Sequence, residues 1–144
     1  MGNSDNYKRV EWRLYSYKEN KIKLKNLIEE IERERNSYNP IGAMTYEERI
    51  AGTNVVNSAI ESEVIRREER IQRLQQEKTK LECDIRQVDN VLEILTGEEK
   101  ELIEERYFKK KTYLQLTDVF PYSQSSIHSI TRKLVKRIEQ LLCF

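Results

Sequence analysis

The chain has 144 residues, 35% of them charged, and its 26 Lys and Arg against 25 Asp and Glu leave a net charge of +1, with only four Gly and two Pro. That composition favours long helices over sheet. It holds no apolar run of membrane length, no secretory leader, no glycine-rich phosphate loop and no zinc-ligand spacing, with one His and two distant cysteines, Cys83 and Cys143.

In chain order, the first helix carries a heptad through Val10, Leu14, Tyr17, Lys21, Leu24, Ile28 and Ile31, with steps alternating four and three. A breaker cluster comes next at Ser37, Tyr38, Asn39, Pro40, Ile41 and Gly42, and Thr45 with Glu48 forms a capping box for a short helix ended by Gly52. This connector occupies roughly residues 38–53. A second, longer register runs through Ile60, Val64, Arg67, Ile71, Leu74, Lys78, Leu81, Ile85, Val88, Leu92 and Leu95. Two helices of thirty to forty residues would each be about 45–60 Å long. Their similar lengths and modest connector predict an antiparallel coiled-coil hairpin over residues 1–95. Lys21, Arg67 and Lys78 fall at seam positions, where polar residues weaken a coiled coil but specify its register. Trp12, Tyr15 and Tyr17 would lie beside Val88 to Leu95 and join the hairpin to the C-terminal part of the chain. A two-helix seam buries little surface, so it is expected to pack on the C-terminal module, on a second copy in a homodimer, or on both.

The C-terminal module, residues 96–144, carries three start signals. Thr96 with Glu99 is a capping box, and Glu98, Glu99 and Glu101 suit the positive end of the helix dipole. Thr112 caps a short second helix reaching about Val119, before Pro121 breaks it. Ser123, with Ser126 at the third position, caps a third helix. On this third helix Ile127, Ile130, Thr131, Leu134, Ile138 and Leu141 recur at helical steps, which predicts one buried face. The opposite face carries Gln124, Ser125, His128, Ser129, Arg132, Lys133 and Lys136.

That polar face fits a helix lying in a DNA major groove. Short hydrogen-bonding side chains at its N-terminal end suit base edges, and cations farther along suit phosphates. Gln124, Ser125, His128, Ser129 and Arg132 are the candidate base readers. Lys109, Lys110, Lys111, Thr112, Lys133 and Lys136 are the candidate phosphate contacts. From Arg106 to Ile138 there are eight Lys and Arg (106, 109, 110, 111, 132, 133, 136, 137) against one acid, Asp118, in a chain that is nearly neutral as a whole. The many Glu residues alternate with Lys and Arg, as on solvated helix faces. Neither an enzyme, a metal site nor a cofactor is expected. The two cysteines are expected to be free thiols, because the compartment is expected to be reducing.

Leu95, Thr96, Glu99, Ile103, Arg106, Tyr107, Phe108, Thr112, Tyr113, Leu116, Ser123 and Ile127 stand where the region 4 domains of bacterial sigma factors carry their signature. The C-terminal third resembles those domains, with Pro121 in place of the usual turn glycine and Thr117 in place of a small Ala. The layout of a helical N-terminal region before such a module, with a segment from Gly52 to Ala59 ahead of the second helix, is similar to the phage late-transcription regulators of the RinA and ArpU families. The resemblance implies a phage-encoded activator of late genes that binds promoter double-stranded DNA through the helix after Ser123. It also implies contact with bacterial RNA polymerase and a place in the host cytoplasm, at the nucleoid. A phage small terminase subunit, which binds DNA for packaging, is the alternative, although its DNA-binding module normally comes first. A coiled-coil adaptor whose last helices bind protein is a third reading.

Overall fold

The computed structural model describes residues 2–37 and 54–142. The capping box at Thr45 and Glu48, the rest of the 38–53 connector and Cys143 lie outside the described residues. Within them the protein is all-α, with no strand. Helix α1 spans Gly2–Ser37 and α2 spans Asn54–Ile94. After Gly2, no Gly or Pro occurs in α1, and α2 contains none, so nothing interrupts either ladder. Helix α3, Gly97–Ile103, passes into a π-helical turn, Glu104–Phe108. Helix α4 spans Tyr113–Leu116, and α5 spans Gln124–Leu141. No described helix is long and apolar enough to cross a membrane.

The chain divides into two compact units. The first comprises Met1–Ile22 and Glu82–Phe144, so the first turns of α1 and the end of α2 belong with everything after residue 95. Val10, Leu14, Ile103, Tyr107, Leu116, Ile127, Val135 and Ile138 are almost completely enclosed in it. Arg13 reaches α2 by donating to Gln87 Oε1 at 2.6 Å and pairing with Asp84 at 3.4 Å. The Tyr17 hydroxyl donates to Asp89, and burial together with that carboxylate pushes its pKa up.

The π-turn closes the aromatic part of this core. Its widened bonding, with Lys109 N–H on Glu104 O at 2.8 Å, puts more residues in a turn and brings neighbouring side chains closer in angle. Tyr107 meets the Tyr15 ring edge-on at 4.9 Å, and Phe108 stacks on Tyr17 at 4.8 Å. Trp12, expected to join this core, is 72% exposed. It lies two residues past Val10 and two before Leu14, about 200° around the helix from either, so it points away from their face.

The chain leaves the π-turn through Lys110, whose φ of 58° is left-handed and carries a cost of about 1–2 kcal/mol for a residue with a β-carbon. Lys111 N–H then closes back on Glu105 O at 3.1 Å, which satisfies a carbonyl at the helix end.

In the second unit, Lys23–Leu81, Leu27 and Ile31 are buried. Ile60, Val64, Arg67, Ile71, Leu74, Lys78 and Leu81 are half-buried, and every other residue from 61 to 80 is exposed, so the stripe read on α2 holds over this stretch, while farther on Val91 is buried where Leu92 was expected. On α1 the stripe shifts by one residue at two of its seven positions. Asn20 is buried where Lys21 was expected and Leu27 where Ile28 was expected, while Val10, Tyr17 and Ile31 keep their places. Lys21 instead holds its ammonium 4.5 Å from the Tyr17 ring centroid. An amide is cheaper to bury than an ammonium, which decides between the two registers there. Arg70 pairs with Glu30 and Glu34 at 3.5 and 3.2 Å, contacts exposed enough to contribute at most about 1 kcal/mol each.

Candidate nucleic-acid interface

Three caps set the C-terminal helices. Thr96 Oγ1 accepts from Glu99 N–H at 3.3 Å, and the Glu99 carboxylate accepts from Thr96 N–H at 3.1 Å. Thr112 and Gln115 form the same reciprocal pair at 3.2 and 2.9 Å. Ser123 Oγ accepts from Ser126 N–H at 3.3 Å and starts α5. Each cap contributes about 1 kcal/mol by satisfying otherwise unpaired donors. Helix α4 ends at Leu116 rather than near Val119, because Thr117 Oγ1 turns back to donate to Leu114 O at 2.5 Å and the chain tightens into a turn. Pro121 fits this connection because it needs no left-handed residue: Lys110 is the only non-glycine residue with positive φ among the described residues.

The buried side of α5 is Ile127, Thr131, Leu134, Val135 and Ile138. Val135 is completely enclosed, whereas Ile130 and Leu141, expected in the stripe, are 39% and 48% exposed. At about 100° per residue the buried centre falls between Ile127 and Val135, and Ile130 and Leu141 sit on its flank. Ile130 instead helps line an apolar pocket of about 200 Å³ with Leu102, Phe120 and Tyr122. Thr131 satisfies its hydroxyl within the core by donating to Ile127 O at 2.7 Å.

Every candidate base reader lies on the exposed surface of α5. Gln124, Ser125 and His128 line a depression with Tyr113 and Ser123, and the His128 ring lies 4.7 Å from Tyr113. His128 and Arg132 also line a second cleft, with Lys136 and with Ser4, Tyr7, Lys8 and Glu11 from the first turns of α1. Ser129 and Lys133 are exposed on the same helix.

The basic residues divide into two sets. Lys109 pairs with Glu105 at 2.6 Å, Lys111 pairs with the other oxygen of the same carboxylate, and Lys110 pairs with Glu19 at 2.8 Å. Arg137 pairs with Glu99 at 3.0 Å. Arg106 donates to Lys111 O at 2.7 Å and lays its guanidinium 4.1 Å from the Tyr113 ring centroid, which ties the elbow to α4. The elbow lysines are engaged in ion pairs and Thr112 in a cap, and neither depression on α5 is lined by them. Arg132, Lys133 and Lys136 make no ion pair among the described residues.

A protein family described as "Protein of unknown function (DUF722)" matches residues 13–140. The chain belongs to this family. No curated protein and no solved structure matches it. The DUF722 match runs from α1 into α5 and includes all of the candidate readers, while Ser4, Tyr7, Lys8 and Glu11 precede it. Sequence reasoning missed those four, because no local pattern in α1 announces contact with a helix more than a hundred residues away.

In this DUF722 chain the elbow makes a specific demand on pH. Glu105 is buried, and hydrogen bonds from Lys109 and Lys111 hold its carboxyl below the usual value of 4.5. Its stabilising contribution is therefore present above pH 4.5 and drains away as pH falls through the lower folded value. Glu105→Gln should lower Tm at pH 7, and the gap to the unaltered protein should close progressively below pH 4.5. A gap of the same size at every pH would show that packing, not charge, makes the difference.

Proposed function

We propose that the protein is a sequence-specific DNA-binding regulator in which α4 and α5 act as a helix-turn-helix, carried on an antiparallel coiled-coil hairpin formed by α1 and α2. The observation that carries this reading is the outer face of α5. There Arg132, Lys133 and Lys136 have no carboxylate partner among the described residues, while Lys109, Lys110, Lys111 and Arg137 are paired within the same unit. Unpaired cations on a helix whose first turns expose Gln124, Ser125, His128 and Ser129 suit phosphates flanking a row of base edges. Caps start both α4 and α5, and Leu116, Phe120 and Ile127 are buried, which suits the rigid helix pair that groove reading requires. By its resemblance to the RinA and ArpU regulators, the protein would activate phage late genes, with bacterial RNA polymerase as a second partner. A second copy of the chain, in a homodimer, is a further partner in this reading.

Selection of bound duplexes from a random pool tests this reading. A single enriched sequence is expected, with affinity that falls steeply as salt rises. Lys133→Ala with Lys136→Ala should reduce the log–log salt slope by about 1.8, at roughly 0.9 for each phosphate contact. Failure to retain any duplex at low salt would sink the DNA reading and favour a protein-binding adaptor. A ring-shaped oligomer would favour the terminase alternative.

A further inference from the structure

The second cleft on α5 has two walls. One is formed by His128, Arg132 and Lys136, and the other by Ser4, Tyr7, Lys8 and Glu11 from the first turns of α1. We propose that this cleft seats the DNA backbone, with Lys8 on α1 and Lys136 on α5 holding phosphates of one strand from opposite sides. The inference rests on the DNA reading and extends it to a helix outside the helix-turn-helix.

Several features of the cleft favour a phosphodiester backbone. Lys8, Arg132 and Lys136 bring three cations to its rim, and Lys8, like Arg132 and Lys136, has no ion pair among the described residues. Lys8 and Ser4 are exposed, so an ammonium and a hydroxyl are available to an incoming ligand. Tyr7 adds a neutral donor, because burial pushes its pKa up to about 12, so its hydroxyl keeps its proton at any working pH. The acid in the cleft, Glu11, is partly committed to the interior, where its carboxylate accepts from the buried Tyr107 hydroxyl at 3.0 Å. The cleft volume of about 600 Å³ is open to solvent, as a groove tracking a polymer must be. Short polar donors and spaced cations suit phosphate oxygens better than an apolar peptide.

The test compares Lys8→Ala, Lys8→Arg and Lys136→Ala in the full chain, each bound to a random-sequence duplex over a range of salt. Lys8 is exposed and makes no ion pair among the described residues, so its replacement should leave Tm unchanged. Lys8→Ala is expected to reduce the log–log salt slope by about 0.9, as Lys136→Ala does, and Lys8→Arg to restore it. An unaltered slope for Lys8→Ala beside a reduced slope for Lys136→Ala would overturn the proposal and leave the helix-turn-helix reading standing. Absence of duplex binding by the unaltered protein would overturn both.

Discussion

Tyr107→Ala is expected to cost about 3–5 kcal/mol, the range for emptying an aromatic site in a closed core. Small domains are stable by about 5–15 kcal/mol, so this change removes a large share of the total. Tyr107 is completely enclosed, meets Tyr15 edge-on, and donates from its hydroxyl to Glu11. It thus joins α1 to the π-turn that aims the rest of the chain toward α4 and α5. Tyr107→Phe keeps the ring and should cost only about 1 kcal/mol, because the half-exposed Glu11 can turn to water. Urea melts of the two variants would check the ordering; equal losses would mean that the hydroxyl, not the ring, carries the site. The same cluster predicts an alkaline limit. Burial raises the pKa of Tyr7, Tyr15, Tyr17 and Tyr107 above the ordinary value of 10. Their contribution is intact below pH 10 and is lost as pH climbs toward the folded values, so stability should fall from about pH 10 upward.

The cluster also marks the boundary of what local pattern can reveal. The three caps were legible because a cap is a contract between residues three apart, and Thr96, Thr112 and Ser123 each keep it. The α2 stripe was legible because a long helix repeats its signal many times. On α1 the choice between Lys21 and Asn20 depended on which side chain tolerates burial, and periodicity alone does not weigh that. Lys109 and Glu105 are four residues apart, so their pairing was readable in principle. The pairing of Lys110 with Glu19, 91 residues away, was not. An apparent cluster of eight cations therefore contains three on α5 with no carboxylate partner among the described residues, and this smaller set sharpens the candidate interface. Lys8 enters the same region from the opposite end of the chain.

Gln124→Ala is expected to weaken binding at the preferred site by about 5- to 150-fold, the equivalent of about 1–3 kcal/mol for a good bidentate pair with adenine. On random duplexes, where no such pair forms, it should change little. Lys136→Ala should weaken both by similar factors, because a phosphate contact carries no sequence information. Folding does not confound the first variant. Gln124 is exposed, and the cap of α5 runs between Ser123 and Ser126 without it, so its Tm should not move. The contrast between the variants tests the rotation of α5. Gln124 lies toward α4, in the depression it lines with Tyr113, Ser125 and His128, whereas Ser129 and Lys136 stand opposite the buried stripe. A helix entering the groove by its first turn would use Gln124 with Ser125 and His128. One lying deeper along its length would use Ser129 and Arg132. Should Gln124→Ala lose affinity equally on both duplexes, Gln124 touches the backbone, and base reading moves one turn along α5 to Ser129 and Arg132.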